Sequence, residues 1–202
     1  MLQIGYAATT VDHIALESRV SRKAIYTHFT GKEDLLLQAH RAVVEKIATG
    51  AGPAIAERSD WRSALRALLD WSLEFFAREP AFAHLSLVEM PAATPASRRL
   101  QRESLAGLRR MIAPSADREL DGSQPTDGRS RIVSGATIDA MLGGMLHVVA
   151  DVAENGRPAD LPALRPQLMA WFALVLEGPG AAEEELAEEV SISPTLAPAG
   201  PA

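Results

Sequence analysis

Five hydrogen-bonding side chains, Arg22, Lys23, Tyr26, Thr27 and His28, fall within seven residues of this 202-residue chain. Side chains of these types donate to acceptor-rich, anionic surfaces, and seven residues of helix make about two turns, enough to present them together. Ile25 and Phe29 are four apart and share the remaining face, which gives the helix an apolar back. A helix built this way has its angle fixed by packing and its donors gathered at its N-terminal front.

Flanking residues must hold that helix in place. Thr10 is set to cap a preceding helix that buries Ile14 and Ala15; Val20 sits in the turn, and Ser21 caps the second helix. The segments TTVDHIA, VSRKAIYTHF and GKEDLL follow one another in order across residues 9–36. Over about its first fifth the chain resembles the TetR family of transcriptional regulators. It departs from the family pattern in two places. Arg19 stands where the family usually has glycine, in a turn that takes left-handed backbone, at a cost of order 1 kcal/mol. The family also begins with a full helix before the TTV segment, whereas Met1 to Tyr6 alone precede Ala7, so most of that first helix is missing.

The resemblance implies an all-α protein with a helix-turn-helix DNA-binding head at 1–46 and a helical ligand-binding and dimerisation bundle at 47–178; at 179–202 acidic and small residues alternating with prolines read as a disordered acidic, proline-rich tail. It implies a homodimer that sets two recognition helices about 34 Å apart on a pseudo-palindromic operator in double-stranded DNA. Ser21, Arg22, Lys23 and Ala24 would then meet base edges, with Arg22 or Lys23 donating to guanine. Tyr26, His28 and Lys32 map to phosphate-holding positions, and Thr10 adds a phosphate bond from the start of its helix. A small molecule bound in the body would change head separation and relieve repression. A second reading is a dimeric small-molecule-binding helical protein whose shortened head no longer holds DNA.

Composition sets limits on these readings. The formal net charge is −6, yet residues 1–46 hold six basic and five acidic residues, a net of +1, and five glutamates sit beyond Pro179. DNA affinity follows the local patch, and Arg22, Lys23 and Lys32 are expected on one face with the acids elsewhere. The absence of cysteine excludes disulfides, thiol catalysis and cysteine-ligated metal. No nucleophile-and-base spacing, P-loop, dinucleotide fingerprint or H-E-x-x-H occurs, so the expectation is a non-enzyme without cofactor or metal. No apolar run reaches about 18 residues and Met1–Thr10 lacks a signal peptide's pattern, so a soluble cytoplasmic chain without membrane contact is expected.

The rest reads as helix. Lys32–Ala48 repeats apolar residues at 36, 39, 43 and 47 and is expected to end at Gly50, Gly52 and Pro53. Helices are predicted at Asp60–Arg78, Ala81–Glu89, Ala96–Ile112, Arg129–Glu154 and Leu161–Glu177, with a mobile loop at Pro114–Gly128. Small residues at Gly135, Ala136, Ala140, Gly143 and Gly144, with the apolar side chains around Leu164, Trp171 and Val175, suggest a helical dimer face. Trp71, Phe75, Met90, Met111, Met141 and Met145 are candidates to line a pocket for an apolar or amphipathic ligand, and His84 and His147 are polar candidates beside it.

Overall fold

The computed structural model describes residues 4–122, 135–155 and 157–192, with backbone alone at 113–122, 135–136 and 189–192. Among the described residues every regular element is helical. The head comprises α1 (Gly5–Ala8), α2 (Val11–Ser18) and α3 (Arg22–His28). Its boundaries follow from side chains that satisfy free backbone amides. Thr10 Oγ1 accepts from the His13 amide at 3.2 Å and the His13 ring accepts from the Thr10 amide at 3.4 Å, a reciprocal cap. Ser21 Oγ accepts from the Ala24 amide at 3.1 Å. Between α2 and α3, Arg19 takes left-handed backbone at φ 56° and ψ 33°, as its place in the turn predicts.

Helix α4 (Lys32–Ala56) runs 25 residues and does not break at Gly50, Gly52 and Pro53. Two facts account for its continuation. Ala51 and Ile55 are buried, so the last turns gain from core packing; and the Trp71 ring lies so close to Gly50 that a Cβ there would stand 2.0 Å from it. Gly50 is thus a contact surface for an indole, and Pro53 sits on the exposed side of the helix. The buried stripe is Leu36, His40, Val43, Ile47, Ala51 and Ile55, with His40 where the apolar periodicity pointed to residue 39.

Helix α5 (Trp61–Arg78) is capped by Asp60, whose Oδ1 accepts from the Ser63 amide at 2.8 Å, and packs along α4. A helical arm follows in three pieces: α6 (Pro80–Ala83), a π-helical stretch at His84–Glu89, and α7 (Met90–Ala93). Helix α8 (Pro95–Gly122) starts at Thr94, which exchanges bonds with Ser97 at 2.9 and 3.0 Å. The backbone stays helical well into the expected loop, because Ala116–Leu120 is a run of helix-compatible residues; 123–128 lie outside the described residues. Helix α9 (Gly135–Glu154) covers the described part of the Arg129–Glu154 segment and packs on the π-helical stretch. A 3₁₀ segment (Pro158–Leu164) leads into α10 (Arg165–Leu176), later than the predicted start at Leu161 because Pro158 and Pro162 favour the tighter turn.

The tail expectation is overturned over most of its length. Helix α11 (Pro179–Ile192) is regular and lies along α10. Glu185 is 3% exposed, with its carboxylate 2.7 Å from Arg66 and 3.6 Å from Arg62; Arg62 also binds Glu177. Glu185 and Glu188, read as part of a disordered tail, are instead matched to arginines on α5. Residues 193–202 lie outside the described residues.

Arg19→Gly is expected to raise stability by about 1 kcal/mol by removing left-handed strain from a residue with a Cβ. Urea melts of the two chains measure the difference, and an equal or lower midpoint for the glycine variant would place no strain at Arg19.

Candidate nucleic-acid interface and internal cavity

The outward face of α3 is open. Ser21, Arg22, Lys23, Ala24, Thr27 and His28 are exposed, Tyr26 is 50% exposed, and Ile25 is buried against the head's core. Seven of the eight predicted contact residues are therefore accessible, six on α3 and its cap and Thr10 at the start of α2. Asp12 does not keep away from them. Arg22 Nε lies 2.9 Å from Asp12 Oδ1, with both side chains 60% exposed, so the expectation that the acids fall elsewhere fails at this pair. Exposed pairs of this kind contribute about 0–1 kcal/mol, a small barrier to exchanging Asp12 for another acceptor.

Lys32 leaves the predicted set. Its ammonium donates to the carbonyls of Tyr6 at 2.9 Å, Ala7 at 3.2 Å and Thr9 at 2.9 Å, and stands 4.4 Å from the Tyr6 ring centroid. Three N–H groups meet three carbonyls at the C-terminal end of α1, where helix carbonyls lack partners. None remains for a phosphate. The same turn is held from the body: Glu89 Oε2 accepts from the Tyr6 amide at 2.9 Å, while Oε1 lies 3.3 Å from His84 Nε2.

Between α4, α5, α8 and α9 lies a cavity of about 60 Å³. Its walls are mostly apolar, with Val43, Ile47, Leu68, Phe76, Leu105 and Met145 among them, and its polar groups are His40, Ser72, Ser86, Gln101 and Ser104. Helix phasing explains the composition: Leu68, Ser72 and Phe76 lie on the inward face of α5, while Trp71 and Phe75 lie on another. Trp71 and Phe75 accordingly stack on each other at 5.2 Å and border an open groove with Lys46, Arg58 and Glu74.

The six ligand candidates are therefore not brought together. Met145 alone reaches the cavity; Met141 lines a smaller void of about 30 Å³ beside Trp61 and Phe172; Met111 lines a surface groove between α4 and α8; Met90 is fully buried packing. His84 serves Glu89 and His147 is exposed on α9, so neither faces the cavity.

His40 is the polar centre that sequence reasoning missed, although its place on the 36–43–47 stripe marks it as inward-facing. It is 5% exposed, with Nδ1 3.2 Å from Ser86 Oγ and Nε2 3.1 Å from Ser104 Oγ. Ser104 donates its own proton to the Leu100 carbonyl at 2.9 Å, so Nε2 carries hydrogen toward Ser104 and Nδ1 accepts from Ser86. A neutral imidazole satisfies both neighbours. Burial, with a smaller contribution from the Arg41 charge, pushes its pKa down to about 4.

Residues 1–39, which carry the capped α2–α3 unit, match the family described as bacterial regulatory proteins, tetR family. The match covers the head and the first turns of α4, about a fifth of the chain. The HTH-type transcriptional activator FasR of Mycolicibacterium smegmatis is 31% identical over 75 residues, which are 37% of this chain and about a third (34%) of that protein's length. The fatty acid degradation regulator FadR from Bacillus halodurans superposes with a TM-score of 0.71 at 20% identity, covering 88% of this chain and 89% of that one. The transcriptional regulator FadR from Bacillus subtilis, solved in complex with stearoyl-CoA, gives 0.69 at 20% identity, covering 86% and 90%. At that identity the two superpositions establish a shared fold and nothing finer. Among the described residues no helix is long and apolar enough to cross a membrane, and no cluster of acids and histidines is arranged to hold a metal.

Because His40 is held neutral in the folded protein but titrates normally when unfolded, folding loses free energy as pH drops below the unfolded value and continues to do so until about 4. The difference in unfolding free energy between the wild-type chain and His40→Gln is expected to shift by about 3 kcal/mol in favour of the variant between pH 7 and pH 4. Chemical denaturation at a series of pH values measures it; parallel profiles would show that His40 is not held neutral.

Proposed function

We propose that the chain is a ligand-responsive transcriptional regulator that binds DNA as a homodimer, with residues 1–46 as the reading head and the bundle to Gly178, extended by α11, as the effector and dimerisation body. The observation that carries this reading is the single exposed face of α3, with Ser21, Arg22, Lys23, Ala24 and Tyr26 outward and Ile25 buried behind them. The fold of the FadR structures and the helix-turn-helix description of FasR support it. Entering the major groove, Lys23 and Arg22 donate to guanine, Arg22 exchanging Asp12 for the base; Tyr26, His28 and Thr10 hold flanking phosphates.

Dimerisation is assigned to α9 and α10. Val148, Leu174 and Val175 are exposed there, and Gly143 faces open space. Gly144 has a different use, since the chain's own Trp171 ring lies 2.8 Å from where its Cβ would stand. The effector is an apolar or amphipathic molecule in the His40 cavity, a reading supported by the stearoyl-CoA bound to the Bacillus subtilis FadR of the same fold. Its binding relieves repression by favouring a head separation that DNA does not accept.

Fluorescence anisotropy on the DNA immediately upstream of the chain's own coding sequence tests the reading. Lys23→Ala and Arg22→Ala are each expected to cost about 1–3 kcal/mol on the specific site and much less on unrelated duplex, while Lys32→Ala leaves the salt slope unchanged. Equal loss on both DNAs would show that α3 does not read sequence.

A further inference from the structure

We propose that what enters the His40 cavity is an apolar molecule with one neutral hydrogen-bonding group, an alcohol or carbonyl, held by Gln101 and Ser104, and that the cavity rejects a free carboxylate or an ammonium. The inference rests on the ligand reading above and names the chemical class that the site accepts.

Three observations carry it. First, no charged residue lines this cavity: its polar groups are two hydrogen-bonding rings or amides, His40 and Gln101, and three hydroxyls, Ser72, Ser86 and Ser104. An ion there would lose its hydration without gaining a counter-charge, a far larger loss than a neutral group suffers when it finds a hydrogen bond.

Second, those groups differ in how fully they are used. Ser72 donates to the Leu68 carbonyl at 2.6 Å, and the His40 ring is matched on both nitrogens by Ser86 and Ser104. The Gln101 carboxamide lines the same wall with no hydrogen-bond partner among the described residues, and it offers one acceptor and two N–H donors. Ser104 keeps a lone pair beyond the one taken by His40. Together they suit a hydroxyl or a carbonyl oxygen.

Third, charge is placed outside the wall. Val44, Ser104 and Leu108 line both this cavity and the surface groove between α4 and α8, whose other residues include Arg41, Glu45, Glu103 and Arg110. The seam at Val44 and Leu108 is the entrance, with ionic groups on its outer side and neutral ones within. The cavity holds the neutral polar group and the carbons next to it, while the rest of a longer ligand, with any charged end, lies through the seam in the groove. His40, kept neutral by burial, is a hydrogen-bonding wall and does not act as a cation toward the ligand.

Isothermal titration calorimetry of the full chain at pH 7.5 with octan-1-ol, octanoate and octylammonium tests the proposal. Octan-1-ol is expected to bind at least about tenfold more tightly than either ion. Gln101→Leu is expected to weaken octan-1-ol by about tenfold, and Gln101→Lys to turn the preference toward octanoate. Octanoate binding as tightly as the alcohol, or Gln101 variants that change no probe's affinity, would overturn the class and its residue.

Val44→Trp, or Leu108→Phe where melting shows that the first does not fold, closes the entrance and separates the two failures. Binding of the wrong class that this closure abolishes sinks the chemical assignment alone. No binding of any probe, or binding that survives closure, sinks the cavity reading with it.

Discussion

The structure depends on α4 being one uninterrupted rod. Its first turn belongs to the head, where Lys32 ties down the carbonyls of α1 and Leu36 is completely buried. Its middle is a cavity wall built from His40, Val43 and Ile47, and its last turns bury Ala51 and Ile55 in the body. Twenty-five residues span about 37 Å, so whatever tilts the middle of the rod moves the head by a lever. Continuity is secured at the weakest place in the sequence, because Gly50 admits the Trp71 ring and core burial on either side offsets the bond that Pro53 cannot make. A helix that ended at Gly50 would still carry the head, but it would lose the anchorage that makes the cavity and the head one mechanical unit.

A second strut runs beside it. The π-helical stretch at His84–Glu89 puts Ser86 and Leu87 on the cavity and Glu89 on the Tyr6 amide. Insertions of this kind re-aim side chains that a regular α-helix would point elsewhere. His40 joins the two struts through Ser86, so the neutral imidazole both sets the polarity of the cavity and ties α4 to the arm that holds α1. Charge is kept out of this junction and concentrated at its periphery, in the Arg62–Arg66–Glu177–Glu185–Glu188 network under α11 and in the groove of Arg41 and Arg110.

What could be read from the sequence was what depends on neighbours in the chain. Thr10 and Ser21 cap their helices by bonds to residues three away, and Arg19 takes the turn its position demands. Apolar periodicity located most of the helical segments for the same reason. Failures came where distant partners decide. Lys32 was assigned to phosphate because the carbonyls it meets lie more than twenty residues upstream; Arg22 was separated from Asp12 because the packing of α2 against α3 sets that distance. The α11 acids were read as disordered because their arginine partners lie about 120 residues away, although the Ala-, Glu- and Leu-rich run did carry helix propensity. The cavity was sought around Trp71 and Phe75, whereas helix phase turned both away from it and placed Leu68, Ser72 and Phe76 on its wall.

The chain contains no cysteine, so Thr27→Cys introduces a single labelling site on the exposed side of α3. Pulsed electron–electron resonance between nitroxides on the two protomers of the proposed homodimer then measures how far apart their α3 helices stand. The lever account gives one inter-protomer distance that settles on operator DNA near a single helical turn, about 34 Å, and shifts to a different value when octan-1-ol fills the cavity. A distance identical in both states, or no inter-protomer distance at all, would contradict it.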